Sequence, residues 1–244
     1  MNVTRALAVF IFFSSSLSAV AQERPYYFRA DLGVSAPTKV NLSNSPNLGG
    51  LSLLWQEGGN GSPPKRFQLD SGPMVSGAVG WRVAPGWRLE GALTYRQHEM
   101  NETSRVPGNT FIEYHKAKTD SLNAMLNGYR DFDLGWAVKP YLGAGIGFSR
   151  NRWLRHETER FTPPVTLDRR SERPNSMVEG AWSLAAGLQW KAGRLTWDAG
   201  YRYSDLGKIA SEGLVPLSAG GISLSNVRLT GHMRAHEFTV GVLF

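Results

Sequence analysis

The segment Trp87-Arg-Leu-Glu-Gly-Ala-Leu-Thr-Tyr-Arg96 alternates between two kinds of residue. Large apolar side chains and one glycine occupy the odd positions, whereas Arg, Glu, Ala and Thr occupy the even positions. Successive side chains of a β-strand point to opposite faces of the sheet. The period of two therefore predicts a strand with one apolar face and one polar or small face.

The same alternation recurs along most of the chain. Each of the other segments has roughly ten residues, which is about the length that a tilted strand needs to cross a bilayer. The pattern predicts eight strands, at residues 26–35, 74–83, 87–96, 121–132, 138–149, 182–190, 195–204 and 237–244.

The connections between these strands alternate in length. Long connections rich in Gly, Asn, Ser, Pro and charged residues span 36–73, 97–120, 150–177 and 207–231, and short turns span 84–86, 133–135 and 191–194. Short turns at one end and long loops at the other are typical of transmembrane barrels. We therefore predict an all-β fold, an eight-stranded antiparallel up-and-down transmembrane β-barrel with long extracellular loops and short periplasmic turns.

The bulk of the apolar face decides which side of the sheet points outward. An eight-stranded barrel has an interior only just wide enough for side chains to fill, so rows of Trp, Phe, Tyr and Leu do not fit there. A soluble barrel with its apolar face inside is disfavoured for this reason, and lipid is the simplest partner for that face. The aromatic residues fall into two groups that fit interfacial girdles: Trp81, Trp87, Phe132, Trp136, Trp190, Trp197 and Phe244 near the short turns, and Tyr95, Phe148, Trp182 and Tyr203 near the long loops.

The composition of the 244 residues agrees with a barrel. Charged residues make up 19% and aromatic residues 11% of the chain, which argues against disorder. The mean hydropathy of −0.28 excludes a helical membrane protein, but a barrel averages an apolar face with polar loops and a polar interior. The formal net charge is +7. We expect no nucleic-acid partner, since the chain carries an export signal.

The first 21 residues have the three parts of a secretory signal. Arg5 supplies the positive charge, Ala6–Phe13 the apolar run, and Ala19-Val20-Ala21 the small-residue cleavage site. We expect residues 1–21 to be a cleaved signal peptide and residues 22–244 to form the barrel domain. The chain contains no cysteine, so disulfides do not stabilise it.

Three segments resemble the opacity-protein-like family of small OmpA-type outer-membrane barrels, which includes the porin-family proteins of alpha-proteobacteria. They are Lys139-Pro-Tyr-Leu-Gly-Ala-Gly-Ile-Gly-Phe148, Ala199-Gly-Tyr-Arg-Tyr-Ser-Asp-Leu-Gly207 and His236-Glu-Phe-Thr-Val-Gly-Val-Leu-Phe244. The resemblance implies an outer-membrane location and insertion by the barrel-assembly machinery. It also implies that Phe238, Val240, Val242 and Phe244 form the C-terminal assembly signal. These motifs concern structure and say little about activity.

Charges of both signs fall on the inward set of positions. Burying an isolated charge is very costly, so we expect these side chains to form a network of ion pairs that fills the lumen. The alternative is a water-filled channel. The predicted network contains Arg29, Asp31, Arg82, Arg88, Glu90, Arg96, Lys139, Asp198, Arg202 and Glu237. Arg130 is an exception on the outward set, near a short turn, where its long side chain can reach the lipid headgroups.

The third long loop is rich in arginine, whose planar guanidinium suits bidentate recognition of phosphate or carboxylate. Lipopolysaccharide and sulfated host polysaccharides are the candidate polyanions, and the alternative is a solvated loop whose charges pair among themselves. The candidate contact residues are Arg150, Arg152, Arg155, Arg169, Arg170 and Arg173.

Three classes of function stay open at this point. The first is a non-enzymatic outer-membrane protein that supports the envelope and presents surface loops. The second is a narrow passive pore, and the third is an enzyme that modifies lipid A. We expect no catalytic, cofactor or metal residues, because the histidines show neither a nucleophile spacing nor ligand spacing. We expect solvated loop or interface positions for His98, His115, His156, His232 and His236. The partners that we expect are outer-membrane lipid and lipopolysaccharide; the oligomeric state stays open.

Overall fold

The structure is a computed structural model that describes residues 25–38, 42–45, 69–105, 112–162, 166–171, 174–210, 217–219, 222–224 and 228–244. The predicted signal peptide lies outside the described residues. Eight long strands form the wall, and no helix long and apolar enough to span a membrane occurs among the residues described. The wall strands are β1 (Tyr26–Pro37), β3 (Gly72–Ala84), β4 (Trp87–Arg105), β5 (Ile112–Asp131), β6 (Val138–Thr162), β8 (Asn175–Ala192), β9 (Leu195–Ala210) and β12 (Arg228–Leu243).

The wall strands pair in chain order, and the sheet closes on itself. The hydrogen-bonded order is β1-β3-β4-β5-β6-β8-β9-β12, and β1 pairs with β12 in an antiparallel ladder. Four short strands lie in the long connections between the wall strands: β2 (Leu42–Ser45), β7 (Thr166–Ser171), β10 (Leu217–Ala219) and β11 (Ile222–Leu224). The β2 strand pairs with β12, β7 pairs with β6, and β10 pairs with β11. The prediction of an eight-stranded antiparallel barrel is confirmed.

The predicted faces are those of the structure. Apolar side chains on the outward face are exposed, for example Ile146 and Phe148 on β6 and Leu93 on β4. The opposite face is buried and polar, with Ser76, Thr94 and Ser149 almost inaccessible to solvent. An outward apolar face needs an apolar surrounding, which a bilayer provides.

The strands at the loop end are longer than the sequence predicts. The β4–β5 ladder continues without a break from Trp87 paired with Arg130 up to Arg105 paired with Ile112, so most of the predicted 97–120 loop is strand. The β6 strand likewise runs to Thr162 through the predicted third loop. Beyond the bilayer the outer face meets water, so these extensions need no apolar residue at alternate positions. For this reason their polar sequence has the pattern of a loop.

Three inward tyrosines each lie over a glycine on the neighbouring strand. In the register, Tyr27 pairs with Gly80, Tyr129 with Gly143 and Tyr141 with Gly187. A Cβ built on Gly80 lies 2.1 Å from the Tyr27 ring, and one on Gly143 lies 2.3 Å from the Tyr129 ring. The ring therefore occupies the volume of the missing side chain. This pairing lets a narrow interior hold aromatic rings.

Candidate functional site

A first group of buried charges lies near the end of the barrel that carries the short turns, hereafter the turn end. The Arg29 Nε atom lies 3.0 Å from Asp31 Oδ2, and Arg29 Nη1 lies 3.2 Å from Glu90 Oε2. Glu90 also accepts hydrogen bonds from Tyr27 OH at 2.6 Å and from Arg88 Nη1 at 3.0 Å. Alternation on β1 and β4 directs these side chains inward, and all of them are buried. Glu90 thus joins two arginines from different strands.

Arg88 connects this group to the rim of the turn end. Its Nε and Nη2 atoms donate to both carboxylate oxygens of Asp131, at 2.8 Å and 2.9 Å. The guanidinium carbon lies 4.8 Å from the centroid of the Tyr129 ring and 5.4 Å from that of Tyr141. Such cation–π contacts are stronger in a desolvated site than on a surface. Arg88 is therefore held by a bidentate ion pair and by the faces of two rings.

A second group of buried charges lies toward the middle of the barrel. Arg96 Nη2 lies 2.7 Å from Glu237 Oε1, and Arg202 Nε lies 3.8 Å from Glu237 Oε2. Arg96 Nη1 donates to Asn123 Oδ1 at 2.7 Å. Asp198 lies nearer the turn end, level with Asp31 in the register, and accepts hydrogen bonds from Tyr141 OH and Gln189 Nε2, each at 3.0 Å. We call the buried charged residues of these two groups the charged tier: Arg29, Asp31, Arg88, Glu90, Arg96, Asp198, Arg202 and Glu237.

Two members of the predicted network lie outside the charged tier, and the prediction is wrong for them. The Arg82 side chain is exposed, and its guanidinium carbon lies 4.8 Å from the Tyr27 ring centroid. Lys139 Nζ donates to Asp133 Oδ2 at 2.6 Å in an exposed pair. Both residues are inward by register but lie near the turn end. Their long side chains reach water there instead of the buried charges.

An apolar cluster occupies the interior near the loop end. Leu206, Ile209 and Met233 are inaccessible or nearly so, and Trp153 is 3% exposed. The interior of a membrane barrel is usually polar, so this cluster is a departure from the rule. The sequence reasoning missed it because most of its members fall in segments predicted as loop. We call it the apolar tier: Leu69, Ala117, Trp153, Leu206, Ile209, Met233 and Ala235.

A change in β9 brings Ile209 of the apolar tier inward, beside Leu206, which follows the even-numbered inward set of the strand. The β8–β9 ladder ends at Trp182 paired with Asp205, although β8 continues to Asn175. Gly207 has a φ of 74°, a conformation that favours glycine, and its amide donates to Asp205 Oδ1 at 3.1 Å. The β9 segment that follows remains paired with β12 but not with β8. Leu206 and Ile209 are buried on this segment.

Side-chain amides take the place of the missing ladder bonds. Asn151 Nδ2 donates to Leu206 O at 2.6 Å and to Lys208 O at 3.0 Å. Asn175 Nδ2 donates to Ala210 O at 3.1 Å. A buried carbonyl without a partner is costly, and these two asparagines satisfy three of them.

The arginines of the predicted third loop divide into two sets. Arg150 and Arg152 lie on β6, not in a loop, on the same outward face as Phe148. Arg152 Nε donates to Asp120 Oδ1 at 2.7 Å, whereas Arg150 is exposed and its Nε donates to Ser176 Oγ at 3.0 Å. The sequence predicts a loop here because the strand continues beyond the bilayer, where apolar residues are not needed at alternate positions. The side chains of the other four candidate arginines are not among those described: Arg155, Arg169, Arg170 and Arg173.

The described histidines lie in three different environments. His98 is buried at 1% exposure inside the barrel, so the expected solvated position is wrong; it continues the inward set of β4 beyond Arg96. His232 Nε2 lies 2.6 Å from Asp205 Oδ1, and Arg234 Nε lies 3.0 Å from the other oxygen of that carboxylate. His236 hydrogen-bonds Tyr201 OH at 2.7 Å on the outer face, an interface position. The side chains of His115 and His156 lie outside those described.

The residues of the predicted assembly signal lie on the closing seam. Phe238, Val240 and Phe244 are exposed on the outer face, and Val242 is half-buried. Phe244 exchanges two backbone hydrogen bonds with Phe28, of 2.9 Å and 3.0 Å. The rings of these two residues are stacked, with centroids 6.1 Å apart. The last residues of the chain therefore complete the ladder between the first and last strands.

Comparison with known proteins gives one family match and two relatives in Brucella. The family description "Outer membrane protein beta-barrel domain" matches residues 6–244. An uncharacterized protein of Brucella suis is 26% identical over 201 residues, which is 73% of this chain and 66% of the relative. One of Brucella melitensis is 28% identical over 150 residues, or 56% of this chain and 52% of the relative. The chain thus aligns with just under two thirds of one relative and about half of the other.

Two solved structures are also similar to the chain. Neisserial surface protein A superposes with a TM-score of 0.47 at 16% identity, over 90% of this chain and 96% of that one. OprG from Pseudomonas aeruginosa superposes with a TM-score of 0.49 at 10% identity, over 90% and 95% of the two chains. With a closed barrel, a lipid-compatible outer face and a family match over nearly its whole length, the chain belongs to the outer membrane protein beta-barrel domain family, and its location is the bacterial outer membrane.

Proposed function

We propose that the protein is a non-enzymatic, non-conducting barrel that supports the outer membrane and presents surface loops. The main support for this proposal is that two different layers of side chains occupy the interior. The charged tier lies toward the turn end, and the apolar tier lies toward the loop end. An ion that crosses would have to break buried ion pairs and then enter an apolar layer, and both steps are costly.

Planar-bilayer conductance tests this proposal. Purified, folded protein is expected to give no stable openings, whereas a general porin inserted in the same way gives steps and shows that the assay works. Stable openings of the folded protein would favour the narrow pore and contradict the proposal. A heat-modifiable gel shift of the same sample shows that the barrel is folded.

The proposed absence of enzymatic activity has its own test. Mass spectrometry of lipid A from cells with and without the protein is expected to give the same acylation and phosphorylation pattern. His232 is engaged by Asp205, which is also bound by Arg234. If a lipid A change is seen, a His232→Ala variant tests whether this His–Asp pair is its cause. A change that depends on His232 would overturn the non-enzymatic proposal.

We also infer that the arginine-rich part of β6 contacts the phosphates of lipopolysaccharide. Arg150 is exposed on the outer face, two residues beyond Phe148, and pairs in register with the outward residues Leu122 and Val178, so it lies at the loop-end edge of the apolar band. Its Nε donates to Ser176, and no carboxylate lies within 4.0 Å of it among the residues described. Guanidinium groups at this level suit phosphate recognition.

Binding measurements with two polyanions separate the candidate ligands. We expect Arg150→Ser, alone and with Arg169→Ser and Arg170→Ser, to weaken lipopolysaccharide binding more than heparin binding. Arg194→Ser, in a short turn at the opposite end, is the matched control and is expected to leave binding unchanged. Unchanged lipopolysaccharide binding in the triple variant would remove this part of the proposal, and a selective loss of heparin binding would move it to host polysaccharides.

A further inference from the structure

Arg130 is a cation on the lipid-facing side of the barrel, at the periplasmic end. It lies on β5 in the outward set and pairs in register with Trp87 of β4. Its guanidinium carbon lies 5.2 Å from the Trp87 ring centroid and 6.0 Å from that of Phe132. Its Nη1 donates to Pro85 O at 2.9 Å. Two rings and one carbonyl therefore fix the orientation of this guanidinium.

The charge of Arg130 is not neutralised by the acids around it. Asp131, the next residue, is bound by Arg88, and Asp133 is bound by Lys139. No carboxylate lies within 4.0 Å of Arg130 in the described part of the chain. A guanidinium has five N–H donors, and the single hydrogen bond to Pro85 leaves donors free for a ligand.

The position of Arg130 determines which ligand can reach it. Trp87 and Phe132 belong to the aromatic residues near the short turns, where the barrel meets the headgroups of the periplasmic leaflet. The neighbouring outward residues Leu89 and Leu142 are exposed to the acyl chains. Glycerophospholipids make up that leaflet and present a phosphodiester at this depth. A fixed guanidinium beside two aromatic rings suits such a group, with the rings against the glycerol and upper acyl chains.

We propose that Arg130, Trp87 and Phe132 form a binding site for the phosphodiester of an anionic glycerophospholipid in the periplasmic leaflet. The uncompensated positive charge favours phosphatidylglycerol over phosphatidylcholine, whose own cation the guanidinium repels. The site is independent of the sealed interior, because Arg130 is on the outer face of the wall. The competing interpretation is that Arg130 only fastens the first short turn through its bond to Pro85.

Native mass spectrometry of the full chain tests the site. The protein is released from mixed micelles that contain equal amounts of phosphatidylglycerol and phosphatidylcholine, and the retained lipid is counted. We expect the wild-type protein to retain phosphatidylglycerol preferentially. Arg130→Gln should lower this retention about tenfold, the value of roughly one lost charge-assisted hydrogen bond. Trp87→Leu should lower it less, because it removes the ring and leaves the charge.

Two further variants make the result decisive. Arg194→Gln removes an exposed arginine from another short turn at the same end and should retain phosphatidylglycerol like the wild type. Arg130→Lys keeps the charge but cannot bind Pro85 and a phosphate in the same geometry, so we expect intermediate retention. Equal retention by wild type and Arg130→Gln, or an equal loss in Arg194→Gln, would overturn the proposal. If Arg130→Gln fails the heat-modifiable gel shift, Arg130→Lys decides: retention like that of the wild type would overturn the proposal.

Discussion

Arg96 of β4 and Glu237 of β12 meet inside the barrel, with Nη2 2.7 Å from Oε1. Their strands are separated in the sheet by β1 and β3, so the contact runs through the interior and not along the wall. Arg202 of β9 approaches the same carboxylate from the other side of β12. One acid thus connects three strands on both sides of the seam that closes the barrel.

Glu237→Gln is expected to destabilise the protein strongly. The change leaves Arg96 and Arg202 buried without this carboxylate, and breaking a buried ion pair costs about 3–5 kcal/mol. Equilibrium unfolding in urea, with the protein in lipid vesicles, measures the loss. Glu99→Gln is the matched control because Glu99 pairs with Lys118 at an exposed position, where an ion pair contributes little. A Glu237→Gln variant as stable as the Glu99→Gln variant would contradict the structural role of the pair.

The packing of tyrosine over glycine predicts a steric effect. Gly143→Ala places a methyl group where the Tyr129 ring lies, and overpacking of this kind costs about 1–3 kcal/mol. The temperature at which the folded form converts on a gel should fall. Gly91→Ala is the control, since a Cβ at this strand position meets no atom within 4 Å. Equal shifts in both variants would show that the ring does not require the glycine.

Gly207→Ala is expected to loosen the upper part of β9. The backbone has a positive φ there, which costs an L residue about 1–2 kcal/mol, and the new Cβ lies 2.4 Å from Glu179 Cβ. Amide hydrogen exchange should become faster over residues 206–210. Gly180→Ala, on the strand opposite, meets nothing within 4 Å and should leave the exchange rates unchanged. The prediction fails if exchange at 206–210 is the same in both.

We expect a lowered pKa for the Asp133 carboxyl, which lies in an exposed turn at the periplasmic end. The hydrogen bond from Lys139, with a second from the Gly135 amide, lowers the pKa of Asp133 below its ordinary value of 3.8. A lowered pKa in the folded state means that the carboxylate favours folding above pH 3.8 and that this contribution disappears as the pH falls through the folded pKa. NMR titration of the Asp133 carboxyl carbon measures the shift. Lys139→Ala should return the pKa toward 3.8; a midpoint unchanged by that substitution would exclude Lys139 as its cause.

The bilayer explains why the wall could be predicted from the sequence. Lipid on one side and a crowded interior on the other demand alternation, and residues 87–96 show it without exception. The same demand ends where β4 leaves the membrane, so its extension to Arg105 carries no such pattern. Strand length beyond the bilayer is decided by pairing with β5, which a single sequence does not display.

The interior was predictable in kind but not in its contacts. Alternation places Arg29, Glu90 and Glu237 inside, yet which arginine meets which acid depends on the stagger between strands. Arg82 is also on an inward position, but it lies near the turn end and its side chain reaches water. The alternation shows the face on which a residue lies and not its position along the barrel axis. Leu206 continues the even-numbered inward set of β9, but Ile209 enters the interior only because β9 departs from β8 after Asp205, and the sign of φ at Gly207 is not evident from the sequence.

The pairing of Glu237 with two arginines has a consequence for how the chain closes during assembly. A slip of one residue between β12 and β1 would turn every β12 side chain to the opposite face. Glu237 would then meet lipid, and Arg96 would lose its carboxylate inside the barrel. The charges make the incorrect register far higher in energy than the correct one. The buried charges therefore favour the correct register at the step in which the first and last strands pair.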